Sequence, residues 1–158
     1  MSSVEGKIEI RPIVIRDLDA MFSIDKEIRA AGKTITYANL TTEEIFSKDR
    51  KAADLTKLLG FGLVAEVDGQ VCGFILGEIV HLRDAAVELG VILIIGVHPD
   101  YQRRGIAVSL VNALSEKYRS KGIKRIRVAV DERDKSLIAF FECMGLRVGH
   151  LLVYSKIL

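Results

Sequence analysis

The chain has 158 residues, 49% of them apolar, and its 23 basic side chains against 21 acidic ones leave a formal charge of +2. That size and apolar share suit one globular domain over residues 1–158, and the near-balanced charge excludes the broad basic field of a general nucleic-acid binder. No apolar run approaches the roughly 20 residues of a bilayer span, and the opening MSSVEGKIEIRP carries no signal-peptide pattern, so a cytoplasmic protein without membrane association is expected.

Along the chain, KIEIRPI alternates as a first strand. The segment from Asp17 spaces Leu18, Met21, Phe22, Asp25 and Ile28 as one face of a helix that Gly32 would end. Thr41 with Glu44 three residues on is a capping-box signature, for a helix running to about Leu59. GLVAEVDGQVCGFILGEIV reads as two antiparallel strands joined at Asp68-Gly69, because both residues tolerate the positive φ of a tight hairpin. After a polar break at HLRDAA, VELGVILIIGV is too continuously apolar for a half-wet strand and predicts a central one covered on both faces. From Gly105, Ile106, Leu110, Ala113, Leu114 and Tyr118 recur at helical spacing as far as Gly122. IKRIRVAV predicts a further strand, KSLIAFFECMG a helix, and LRVGHLLVYSKIL closing strand material. Strands and helices in this order give an α/β chain with a mixed sheet. Cys72 and Cys143 stand alone in apolar contexts and are expected as buried thiols.

The junction VHPDYQRRGIA carries the chemistry. A buried strand turning sharply into a helix leaves the first N–H groups of that helix without intrahelical partners, and the helix dipole adds positive charge there. Arg103 and Arg104 bring full charges, while Gly105 and the small Ala107 let a diphosphate approach the backbone. The stretch is neither a Walker loop nor a dinucleotide fingerprint, since both glycine spacings are missing.

The pattern Q-x-x-G-x-[GA] from Gln102 to Ala107, preceded by a strand ending in VHPDY and followed by a helix, a strand and a helix ending in FFECMGL, resembles the Gcn5-related N-acetyltransferase (GNAT) family. Within it, the branch of bacterial ribosomal-protein alanine acetyltransferases is most similar. The resemblance implies a largely antiparallel mixed sheet flanked by helices and splayed at its central strand, with acetyl-CoA as donor and an amine as acceptor. It further implies that Ile95, Gly96 and Val97 offer backbone groups to the pantetheine arm, and that Gln102, Arg103, Arg104, Gly105, Ile106, Ala107 and Val108 wrap the pyrophosphate. Homodimers are common in the family.

Three positions depart from that pattern. Where the family commonly carries an asparagine on the cofactor arm and a tyrosine that protonates the thiolate, this chain has Asp134 and Phe141, and the branch's glutamate base matches Ala129. Asp134 can accept a hydrogen bond and cap a helix, but Phe141 cannot move a proton. Glu88, acting through water, and Tyr154, as a proton donor, are the candidate replacements. His81, His98 and His150 are scattered, and no metal cluster assembles. The basic run from Lys117 to Arg127 lacks interleaved aromatics and reads as a solvated helix end, not a nucleic-acid patch. A lysine amine at pKa ~10.4 is only about 0.04% neutral at pH 7 and an α-amine at ~7.8 roughly a tenth, a difference of about 3.5 kcal/mol, so a site poor in bases favours an α-amine. The alternative to an enzyme is a non-catalytic acyl-CoA-binding sensor that kept the cradle and lost the proton handlers.

Overall fold

A computed structural model describes residues 6–33, 42, 60–82 and 87–158; the helix expected from Thr41 to Leu59 lies outside them apart from Thr42. The elements are β1 (Ile8–Pro12), α1 (Leu18–Ala30), β2 (Leu63–Val67), β3 (Gln70–Leu82), β4 (Val87–Val97), α2 (Ile106–Ser120), β5 (Ile126–Val128) and α3 (Lys135–Cys143). The strands form one sheet in the order β1-β2-β3-β4-β5, antiparallel except where β5 runs parallel to β4.

The Asp68-Gly69 hairpin forms with φ of 51° and 78° at its two residues, the double left-handed geometry that matches strand twist. Gly32 and Gly122 close α1 and α2 in the same backbone region. α1 covers one face of the sheet, burying Met21, Ile24 and Ile28 against Val64, Phe74, Leu76 and Ile94. α2 and α3 cover the other, where Ile106, Leu110, Leu114 and Phe141 meet Ile75, Ile92 and Ile95. Covered on both faces, β4 is buried from Ile92 to Val97, as its unbroken apolar run requires.

Two placements add to the expected pattern. Asp25 lies on the apolar face of α1, where its carboxylate accepts from the Thr42 N–H and pairs with Arg29, so burial leaves it satisfied. Arg11 on β1 grips Asp17 through both oxygens, at 2.7 and 2.8 Å, and also donates to Glu66 on β2 at 2.6 Å. That fork ties β1, β2 and the entry of α1 together.

Three expectations are corrected. The closing strand expected from LRVGHLLVYSKIL is absent from the described residues: 147–158 form no strand and are exposed throughout, beyond a cap at Gly145 (φ 90°). Cys143 is exposed, whereas Cys72 is buried and donates to the Ala65 carbonyl at 3.3 Å. The α3 residue that enters the core is Phe141, two positions back and so on the opposite side of the helix from Cys143. The strand in IKRIRVAV is limited to Ile126–Val128, since its partner β4 changes course beyond Ile92.

Candidate active site

That change of course is a β-bulge. Gly77 pairs with Ile92 and Leu76 with Ile94, which leaves Leu93 as an extra residue in β4. Side chains shift phase across it: Leu93 and Ile94, adjacent in sequence, both pack under α1, while Ile92 and Ile95 pack under α2. On the other edge, pairing with β5 stops at Ile92. From Leu93 to Val97 the outer side of β4 is therefore unpaired among the described residues, an open edge that we call the cleft.

Strand alternation decides which backbone groups face that cleft. The His98 N–H donates to Cys72 on β3 at 2.8 Å, so the peptide groups of Gly96 also turn toward β3, and those of Ile95 and Val97 turn outward to the edge that β5 leaves. The Val97 carbonyl receives the Gln102 Nε2 at 3.4 Å. Gly96 plays a packing part, as an added Cβ would meet Ile28 Cδ1 and Phe74 Cε1 at 3.1 Å.

Beyond β4, a 3-10 turn at Pro99–Tyr101 leads into the arginine loop, with the Asp100 N–H donating to His98 Nδ1 at 3.1 Å. Arg103 and Gly105 both adopt left-handed φ, 65° and 77°. The first intrahelical bond runs from the Ser109 N–H to the Gly105 carbonyl at 3.0 Å. Among the described residues, none accepts from the N–H groups of 103–108, and left-handed turns of this kind converge such groups into an anion-binding concavity. The loop side chains are exposed, and the Arg104 guanidinium lies over the Tyr101 ring at 5.2 Å.

The remaining candidates separate from this region. Asp134 caps α3, its Oδ1 accepting from the Leu137 N–H at 3.0 Å. Phe141 is buried in the core against Phe140, so its ring serves packing. Glu88 stands beside His81 at the far end of β4, about 30 Å along the strand from Val97, and Tyr154 is 88% exposed on the segment after α3. Strand length thus separates Glu88 from Val97. Among the described residues no group of ligating side chains could hold a metal, and no helix is long and apolar enough to cross a membrane.

Sequence reasoning missed a contact beside the bulge. The Tyr118 hydroxyl donates to the Val91 carbonyl at 2.7 Å, beside the bulge, and contacts the Glu78 carbonyl at 3.3 Å. Its ring lies so close to the sheet that a Cβ on Gly77 would come within 2.2 Å of the hydroxyl, and one on Gly90 within 2.5 Å of the ring. Burial pushes this phenol far above its ordinary value, so it stays a neutral donor. The available signal was glycine inside strand patterns, which marks bulges and close approaches.

The profile of the acetyltransferase (GNAT) family matches residues 26–146, more than half of the chain. In solved structures, an aminoglycoside acetyltransferase from an uncultured soil metagenomic sample, in complex with sisomicin, is 19% identical with a TM-score of 0.67, over 96% of this chain and 95% of its own. A PaiA N-acetyltransferase from Thermoplasma acidophilum in complex with coenzyme A is 22% identical, TM-score 0.70, over 90% and 91%. Ribosomal-protein-alanine N-acetyltransferase from Brucella melitensis biovar Abortus 2308 is 17% identical, TM-score 0.66, over 96% and 99%. At these identities the likeness is one of fold.

Proposed function

The chain belongs to the acetyltransferase (GNAT) family and is by that membership an N-acetyltransferase; we propose that it moves an acetyl group from acetyl-CoA to an α-amine of a peptide, protein or small molecule in the cytoplasm. The observation that carries this reading is the cleft beyond Leu93, where the outward peptide groups of Ile95 and Val97 lead toward the unpartnered N–H groups of 103–108. These residues fit the donor. Gln102, Arg103, Arg104, Gly105, Ile106, Ala107 and Val108 would hold its diphosphate by backbone donors, helix dipole and charge, and Ile95 and Val97 would hold the pantetheine arm as an added strand holds an edge.

In the transfer, the amine nitrogen bonds to the thioester carbon, the C–S bond breaks, and the nitrogen gives up a proton as the thiolate departs. A Val97 N–H beside the carbonyl oxygen would stabilise the charge that develops there. With Phe141 and Ala129 at the family's usual proton-handling positions, the reading rests on positioning, which supplies about 7 kcal/mol or more. The thiolate of a thiol with pKa near 8.5 can leave without an acid, and the amine must arrive neutral.

The test is a thiol-release assay with acetyl-CoA and a panel of α-amine peptides, lysine-only peptides and polyamines, with CoA binding followed by calorimetry. Turnover is expected on α-amines, with kcat/KM rising about tenfold per pH unit up to the acceptor's own pKa near 7.8 and then levelling. Preference for lysine or polyamines overturns the α-amine assignment, and a rise governed by a pKa unrelated to the acceptor reveals an enzyme base. Tight CoA binding with no turnover on any amine assigns the chain to the sensor reading.

A further inference from the structure

Tyr118 stands in the last turn of α2 and is buried. A buried phenol needs a partner for its hydroxyl, and this one finds it inside the sheet. The two carbonyls it reaches, Val91 on β4 at 2.7 Å and Glu78 on β3 at 3.3 Å, belong to residues that face each other across the ladder, one pair before the bulge. Gly77 and Gly90 leave the trough in which the ring lies, and Phe61 stacks on it with centroids 5.4 Å apart. A bulge disrupts strand pairing locally, and here a donor from a helix enters the ladder beside the disruption.

That contact ties α2 to β4 a second time. The first turn of α2 continues from β4 through the loop at 98–105, and its last turn comes back to Val91. Between these ends run about 18 Å of helix, from Ile106 to Tyr118, and about 20 Å of strand, from Val91 to Val97. Helix and strand lie side by side, so the Tyr118 hydroxyl decides how the open edge from Leu93 to Val97 is set along α2.

We infer that Tyr118 is a positioning residue for acetyl transfer: its hydroxyl holds the bulged start of the open edge in register with α2, so that a donor held by its diphosphate at the first turn of α2 meets the peptide groups of Ile95 and Val97 in the reactive geometry. The inference rests on the donor site proposed above. Tyr118 acts through the backbone of β4 and not on the reacting atoms. Misplacement by about 1 Å at a distance from the chemistry can cost a hundredfold in rate, which gives a single hydroxyl enough leverage.

Tyr118→Phe keeps the ring and removes the donor. Its kcat is expected to fall tenfold or more, while the KM for acetyl-CoA and the calorimetric CoA affinity stay within about threefold, since the diphosphate loop is untouched. In the free protein, amide hydrogen exchange from Val91 to Ile94 should quicken by about tenfold. Val67→Ala, a core truncation beside the Asp68-Gly69 hairpin, should lower the melting temperature and leave both readouts at their wild-type values. A Tyr118→Phe enzyme with wild-type kcat, a loss confined to CoA affinity, or the same kcat loss in Val67→Ala overturns the positioning role. A wild type that binds no CoA fails the donor reading and the positioning role with it, and faster exchange in Tyr118→Phe would then mark a contact of structural importance alone. If Tyr118→Phe does not fold, Gly90→Ala, whose methyl group would push the ring and its hydroxyl off Val91, should show the same split between kcat and KM, and wild-type kcat in that variant with quickened exchange overturns the role equally.

Discussion

At the scale of single residues, Gly105 separates two physical requirements. Its φ of 77° favours glycine, and a Cβ there would meet nothing within 4 Å, so Gly105→Ala costs only backbone strain, about 1 kcal/mol. Gly105→Glu adds a carboxylate where the donor's phosphates would sit. Both variants should melt within a few degrees of each other. CoA affinity should survive alanine within about tenfold and fall by about a hundredfold or more with glutamate, as read by calorimetry; equal losses would move the diphosphate away from this loop. The arginines, the glycine and the helix start were all legible in Gln102–Ala107, because the chemistry of that turn is written in consecutive residues.

Elements were legible where the signal was local. The hairpin at Asp68-Gly69, the buried central strand and the ends of α1 and α2 follow from periodicity and turn chemistry in short windows. The bulge at Leu93, the brevity of β5 and the Tyr118 contact depend on residues far apart in sequence, and no window contains them. Glu88 illustrates the same limit: it lies on the central strand, but strand rise places it at the end remote from Val97. The Tyr118 contact with the two glycines yields a direct test at this scale. Gly90→Ala should destabilise by about 1–3 kcal/mol through overpacking against the ring, and that penalty should shrink markedly in a Tyr118→Leu background, a coupling that urea titration of the double-mutant cycle measures. Additive penalties would mean that the ring is not what excludes the methyl group.

For the molecule as a whole, acid sensitivity follows from the fork at Arg11. The Arg11 guanidinium holds the Asp17 carboxyl below the usual carboxylate range, helped by the Val14 N–H and opposed by burial. A depressed folded-state pKa contributes stability that is complete above the unfolded value near 3.9 and is lost as pH falls through the folded one. The wild-type chain should therefore weaken below about pH 4. Asp17→Asn should cost about 1–3 kcal/mol at pH 7, with the gap to wild type closing toward pH 2, as urea midpoints at several pH values would report. A gap that stays constant with pH would show that shape, not charge, sets the role of Asp17.

The extra residue at Leu93 has a consequence that reaches beyond the cleft it opens. β4 is in effect two half-strands of opposite parity, with Ile92 and Ile95 under the same helices only because an odd step intervenes. Deleting one residue there would leave composition, hydrophobicity and charge almost untouched. It would nevertheless remove the kink, restore plain alternation with Ile94 and Ile95 on the faces they now hold, and let β5 zip along the edge that now stands open. In surface loops the number of residues is negotiable; in this strand the count itself is information.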